Sequence, residues 1–141
     1  MIKKRRNVLP KRRVVCVDFD GVIYRNMNYK GTSILNELPV DGAIESLKEL
    51  SKSYDVVINS ARCETDDGME AVQNWLNKHD LPYRLSKYKP RADVYIDDRA
   101  VCFNGNWETT LKEVNEFRQW QADGKRANKL MRKGASCRRK F

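Results

Sequence analysis

Asp18 and Asp20 stand two residues apart at the end of an apolar run, in the stretch VVCVDFDGVIY. Side chains two apart on a strand point the same way, so the pair can serve one site. A short continuous apolar run suits a strand covered on both faces, and Gly21 lets the chain turn sharply behind it. Neighbouring carboxylates repel one another unless something positive lies between them, and a hard divalent cation bound through oxygen is the usual solution. Asp before Gly is also a common turn sequence. The pair alone therefore leaves a cation site and a plain strand-end turn both open.

Two further apolar runs end in the same manner. Val56, Val57 and Ile58 lead into Asn59, Ser60, Ala61 and Arg62, and residues 92–96 lead into Asp97, Asp98 and Arg99. Between the runs the pattern changes to helical spacing. Pro39, Val40 and Asp41 introduce a helix with Asp41 as N-cap and Ala43, Ile44, Leu47 and Leu50 on one face. Thr65, Asp66 and Asp67 open a second helix whose Met69, Val72, Trp75 and Leu76 form the inward stripe. His79, the only histidine, falls in its last turn, where it serves the helix terminus or faces solvent rather than catalysis. Residues 83–85 read as a short strand, followed by the basic loop Lys87, Tyr88, Lys89, Pro90 and Arg91. After residues 101–103, Asn104, Gly105 and Asn106 cap a third helix with Trp107, Leu111, Val114 and Phe117 as core positions. Residues 23–38, rich in Asn, Gly, Tyr and Lys, form a loop over the first strand end.

Alternating strands and helices predict an α/β fold, a three-layer Rossmann-like arrangement with a mainly parallel sheet and flanking helices. Ligands in such folds bind beyond the carboxyl ends of the strands. Asp18 and Asp20, Ser60 and Arg62, and Asp97 and Asp98 all fall there. Three runs delivering polar residues to one edge favour a site over a turn.

The chain has 141 residues, enough for one domain with a real core. Its net charge of +9 is unevenly placed. Residues 1–13 carry seven Lys or Arg and no acid; residues 123–141 carry eight and only Asp123. Each tail is thus +7, and residues 14–122, the predicted domain, carry a net −5. Basic runs of this kind bind polyanions such as nucleic acid through phosphate contacts, in a salt-dependent way, or remain solvated faces without a specific partner. Within the C-terminal tail, Ala127, Leu130 and Met131 permit one short amphipathic helix. The four cysteines, Cys16, Cys63, Cys102 and Cys137, show neither zinc-ligand spacing nor a disulfide framework, so a reducing cytoplasm is the expected compartment. No leader and no membrane span is expected, because no apolar stretch approaches about 20 residues.

Taken together, DFDGVIY, VVINSAR, Lys89-Pro90 and VYIDDRA resemble, in order and spacing, the four motifs of the haloacid dehalogenase-like (HAD-like) phosphohydrolase superfamily. The resemblance spans residues 14–120 and leaves the tails aside. It implies that Asp18 is a nucleophile forming an aspartyl-phosphate, and that Asp20 is the general acid and then base. It further implies Mg²⁺ bound by Asp18, the backbone carbonyl of Asp20 and Asp97, with Asp98 as an additional ligand. Ser60 would hydrogen-bond a phosphoryl oxygen, and Lys89 would offset the phosphate charge. Lys87 is the alternative motif lysine. Arg62 and Arg99 are candidate phosphate clamps, or partners of the nearby acids. Val22 stands where many members have Thr.

Many members carry a cap domain after the first motif or between the second and third. The gaps at residues 22–40 and 61–88 are too short for one, so an open site without a cap is expected. An open site and two basic tails make a nucleotide or a terminal phosphate of a polynucleotide the leading substrate. Two alternatives stand beside it: a nucleic-acid-binding protein of this fold with little turnover, and a phosphatase of small metabolites or phosphoproteins whose tails bind some other partner. The sequence leaves oligomeric state open.

Overall fold

The computed structural model describes residues 10–121; the basic runs in 1–9 and 122–141, including the helix expected at Ala127, Leu130 and Met131, lie outside them. Four strands form one parallel sheet: β1 (Val14–Asp18), β2 (Asp55–Asn59), β3 (Arg84–Ser86) and β4 (Val94–Ile96), in the order β3-β2-β1-β4. The register pairs Asp18 with Asn59, Asn59 with Ser86, and Val17 with Ile96. All four strands therefore end at one edge, and the residues that follow them are neighbours in space.

Helices α1 (Ala43–Ser51) and α2 (Asp66–Lys78) connect β1 to β2 and β2 to β3. Two successive crossovers of the same hand in one direction bring both helices to the same face. The buried cluster bears this out, joining Val15, Val17, Val56 and Ile58 of the sheet with Leu47 of α1 and Val72, Trp75 and Leu76 of α2. Each such aliphatic side chain contributes about 1.5–3 kcal/mol when fully buried. The return crossover from β3 to β4, through residues 87–93, contains no helix.

The third helix, α3 (Trp107–Glu116), corrects two expectations. Its stripe is not core: Trp107, Leu111 and Val114 are 69%, 60% and 55% exposed, Phe117 is only half-buried, and Thr110 is the buried residue of the helix. Trp107 instead packs against Phe103 at 5.1 Å. Helical periodicity marks a face but not what covers it. The expected third layer is thus absent among the described residues, which form a parallel sheet with two helices packed on one face.

Local signals held at two helix starts and failed at one. Thr65 caps α2 by accepting from Gly68 N at 3.1 Å, and Asn106 caps α3 by accepting from Glu108 N and Thr109 N at 2.9 and 3.2 Å. At α1 the N-cap is Gly42, in left-handed backbone with φ 79°. Asp41 is drawn away by Arg25, whose Nη2 lies 2.7 Å from its carboxylate. His79 closes α2, its backbone N–H bonding Trp75 O and Leu76 O at 3.2 Å and its ring lying 4.1 Å from that of Trp75. Strand β4 is shorter than the 92–96 run because Asp93 turns its carboxylate back to Val14 N at 2.8 Å. Among the described residues no helix is long and apolar enough to cross a membrane.

Arg12 and Arg13 are bonded to the folded body. Arg12 donates to Ser51 O and Tyr54 O at 2.7 and 3.1 Å, and the Arg13 carbonyl accepts from Asp55 N at 2.9 Å.

Candidate active site

Strand β1 stops at Asp18, and Phe19 then turns into the core. Phe19 stacks on Tyr24 at 5.3 Å, and Trp75 meets both edge-on at 5.2 and 5.6 Å. This aromatic trio fixes the start of the 21–42 loop. The loop is tied further by Tyr24, whose hydroxyl accepts from Asn36 N and Glu37 N, and by Trp75 Nε1 bonding Glu37 O at 3.1 Å. Gly21 sits at φ 77°, and any side-chain carbon there would overlap the Asp98 carboxylate. Glycine is thus required both by the turn and by the close approach of Asp98.

Asp18, Asp97 and Asp98 each bring one carboxylate oxygen within 4.8 Å of the others. Asp97 Oδ1 accepts from Arg99 N at 2.7 Å, and Asp98 Oδ2 from Gln119 Nε2 at 3.1 Å. Asp98 Oδ1 is buried and has no hydrogen-bond partner among the described residues. A buried carboxylate oxygen left unpaired is costly unless something positive meets it. Three hard oxygens converging beside such an orphan fit an oxygen-coordinated cation of the Mg²⁺ or Ca²⁺ type.

Asp18 is pushed up to about 7, first by burial, then by the negative charges of Asp97, Asp98 and Asp20, against a lowering hydrogen bond from the Phe19 backbone. Asp20 is also raised by burial, although Arg62 and, more distantly, Arg99 act to lower it. Negative charge is therefore in excess around Asp18, and a cation there would favour its ionised, nucleophilic form.

The two acids of the first motif face different partners. The side chain of Asp20 lies outside the cluster of Asp18, Asp97 and Asp98, and Arg62 Nε lies 2.9 Å from both of its oxygens. Strand alternation no longer governs Asp20, because the strand has ended two residues earlier. Arg62, expected as a phosphate clamp or a partner of the nearby acids, is only 3% exposed, and each of its guanidinium nitrogens has a partner. Beyond Asp20 it donates to Gly31 O, Thr32 O and Asn26 Oδ1 at 2.7, 2.9 and 3.3 Å, and it lies over the Tyr29 ring at 4.9 Å. It holds the 21–42 loop against Asp20. Arg62 comes to this place through Ser60, which caps the 3₁₀ turn Ala61–Glu64 by accepting from Arg62 N at 3.2 Å. Ser60 itself is buried at the end of β2.

A cleft of about 120 Å³ opens beside Asp18, lined by Cys16, Asn59, Lys89, Tyr95 and Asp97 among others. Lys89 Nζ rests 4.5 Å from the Tyr95 ring centroid. Lys87 instead lies against Tyr88 and does not line the cleft. Arg99 is exposed, with its backbone on Asp97. A larger cavity of about 470 Å³, between the loop and α2, is lined by none of these residues except through the shared loop, and its Ser33, Asp67, Glu70 and Lys78 rim lacks the convergent carboxylates.

Three residues that the sequence did not single out tie the chain past α3 to the site and its loop. Gln119 bonds Asp98, Trp120 Nε1 donates to Gly21 O at 2.7 Å, and Gln121 donates to Arg25 O. No local pattern marks them, since their partners lie 21, 99 and 96 residues away. Compared with protein-family models, with curated proteins and with solved structures, the chain matches none.

Proposed function

We propose that the chain is a Mg²⁺-dependent phosphomonoesterase of HAD-like type without a cap domain, acting through an aspartyl-phosphate on a nucleotide or the terminal phosphate of a polynucleotide. The observation that carries this reading is the convergence of Asp18, Asp97 and Asp98 around an unpaired Asp98 oxygen, beside a cleft that Lys89 lines. Asp18, Asp97 and Asp98 would hold Mg²⁺, with the Asp20 carbonyl as a further oxygen. When bound, the ion offsets the charge that gathers on the phosphoryl oxygens.

The protein groups divide the chemistry. An Asp18 carboxylate oxygen attacks phosphorus while the bond from phosphorus to the leaving oxygen breaks, giving an acyl phosphate on Asp18. Asp20 donates its proton to the departing oxygen. It then takes a proton from the water that attacks the same phosphorus, releasing inorganic phosphate and restoring Asp18. A carboxyl raised by burial suits the first half of that cycle, and the Arg62 contact keeps the group aimed and able to ionise for the second. Lys89 supplies fixed positive charge to the transferring group, and Ser60 a hydroxyl. Arg99 is the exposed arginine left to meet a substrate.

The test is phosphate release, with and without Mg²⁺, from DNA and RNA phosphorylated at either end, mononucleotides, sugar phosphates and phosphopeptides. Release concentrated on the first two groups is expected. A preference for sugar phosphates or phosphopeptides replaces the substrate assignment. Nucleic-acid binding without release from any compound replaces the enzyme with a binding protein.

A further inference from the structure

We infer that Tyr95 is a positioning residue, whose ring carries the Lys89 ammonium in the Asp18 cleft and keeps its charge free for a phosphoryl group instead of letting it pair with Asp18 or Asp97. This rests on the phosphatase reading above, which sets Lys89 against the transferring phosphate.

Tyr95 is the middle residue of β4 and lies beside Cys16 of β1 in the register of the sheet. Side chains paired in this way point to the same face. Cys16 and Tyr95 both line the cleft, and so do Asp18 and Asp97, two residues further along each chain. The strand that leads to a candidate metal ligand thus also places the ring. That ring is 45% exposed, so packing leaves part of it open to the cleft.

The hydroxyl of the same side chain shapes the loop that bears Lys89. It donates to Pro90 O at 2.7 Å and accepts from Ala92 N at 3.1 Å. At the other end of the loop, Asn59 Nδ2 donates to Ser86 O at 2.9 Å and Ser86 Oγ donates to Tyr88 O at 2.6 Å. The chain is therefore fastened on both sides of Lys89, whose Nζ comes to 4.5 Å from the Tyr95 ring centroid. Lys87 lies instead 6.0 Å from the ring centroid of Tyr88, which is itself 76% exposed.

The cleft also holds Asp18 and Asp97, yet among the described residues Lys89 forms an ion pair with neither. Such a pair would neutralise the ammonium and occupy a carboxylate of the candidate metal cluster. An aromatic face attracts an ammonium through its quadrupole and carries no net charge. It fixes the group and leaves its charge and its N–H donors to an incoming anion. Lysine, a strongly hydrated point charge on four flexible carbons, gains most from such a support. A charge placed beforehand needs no reorganisation when the phosphoryl group is transferred.

The test is a double-mutant cycle in the full-length chain. Tyr95→Phe, Tyr95→Leu, Lys89→Ala and Tyr95→Leu/Lys89→Ala are compared with the parent in two ways, with Mg²⁺ present throughout. One is kcat/KM on p-nitrophenyl phosphate; the other is the midpoint at which inorganic phosphate raises the unfolding temperature. Phenylalanine keeps the ring and is expected to stay within about threefold of the parent in both. Leucine should lower kcat/KM and raise the phosphate midpoint by about tenfold. In the Lys89→Ala background the same change to leucine should alter either quantity by less than about twofold, because no ammonium is left to place.

A leucine variant equal to the parent overturns the inference, as does a phenylalanine variant as impaired as the leucine one. A leucine effect as large without Lys89 as with it shows a purely structural Tyr95 and overturns it too. A parent chain that releases no phosphate defeats the phosphatase reading instead. Tyr95 is then judged on the phosphate midpoint alone: the same pattern across the cycle supports the positioning role, and a parent chain that binds no phosphate contradicts it.

Discussion

Arg62 Nε lies 2.9 Å from both carboxylate oxygens of Asp20, while Asp18, two residues earlier, faces Asp97 and Asp98. One short sequence thus supplies two acids to two electrostatic settings. Among the described residues Asp18 has negative neighbours and no paired cation, so it is the group that a metal would act on. Asp20 has a buried guanidinium that fixes its direction. Two carboxyls in unlike surroundings are what a nucleophile and a proton shuttle require.

Arg62 is predicted to be structural as well as supportive of chemistry. Arg62→Ala leaves Asp20 facing an empty buried position and cuts the bonds to Gly31, Thr32 and Asn26. The expected cost is about 3 kcal/mol, the lower end for a broken buried pair because Asp20 is a quarter exposed. Arg62→Lys keeps the charge but loses the fork, and should fall between. Urea unfolding of the two variants checks this; an alanine variant as stable as the parent chain would refute it.

Asp18 makes stability depend on pH. Its folded carboxyl protonates near pH 7, against about 4 when unfolded. Between these values the folded chain binds more protons than the unfolded one, so stability falls as pH rises from about 4 through 7 and the loss is complete above it. Asp18→Asn removes this component. Without divalent cations, urea midpoints for the parent chain should decline from pH 5 to pH 8 more steeply than those of the variant, and parallel curves would show that Asp18 is not perturbed.

Cation binding is predicted to displace a proton. The raised Asp18 carboxyl holds a proton near neutral pH in the metal-free chain, so adding Mg²⁺ at pH 6.5 should acidify a weakly buffered solution and raise the unfolding temperature. Asp98→Asn should weaken the thermal shift by about tenfold in Mg²⁺ midpoint. A parent chain whose unfolding temperature ignores millimolar Mg²⁺ has no such site.

Gln119 is predicted to act through Asp98. Gln119→Ala frees Asp98 Oδ2 and should raise the Mg²⁺ midpoint by about tenfold, the low end for a group supporting a ligand, while leaving metal-free stability nearly unchanged. Gly21→Ala differs, since a methyl both meets Asp98 and demands the left-handed backbone; a loss of about 1 kcal/mol or more in stability is expected along with weaker Mg²⁺ response. If alanine at 119 leaves the midpoint where it was, Gln119 has no part in the metal site.

The strands, the two caps at Thr65 and Asn106, and the meeting of residues 18, 97 and 98 were legible in the sequence because each rests on a local signal: an apolar run, a short polar side chain before a helix, a common sheet edge. Asp41 illustrates the limit. Its type suits an N-cap, but Arg25, sixteen residues away, took the side chain and Gly42 took the position. Arg62 was visible as a phosphate clamp or a partner of the nearby acids, and which of the two it is could not be read locally, because its bond to Asp20 spans 42 residues and depends on the serine-capped turn after β2. The stripe of α3 was visible as a stripe, yet nothing periodic tells whether a sheet stands opposite it. Trp120 is the extreme case, fixing the Gly21 carbonyl across 99 residues from a stretch with no pattern.

The central claim is that Asp18 carries out phosphoryl transfer, and it is tested most directly by Mg²⁺-dependent phosphate release from p-nitrophenyl phosphate by the parent chain and by Asp18→Asn. The account predicts release that EDTA abolishes and that the variant lowers by at least about 10³-fold while remaining folded. A folded Asp18→Asn chain that releases phosphate at the parental rate would contradict it.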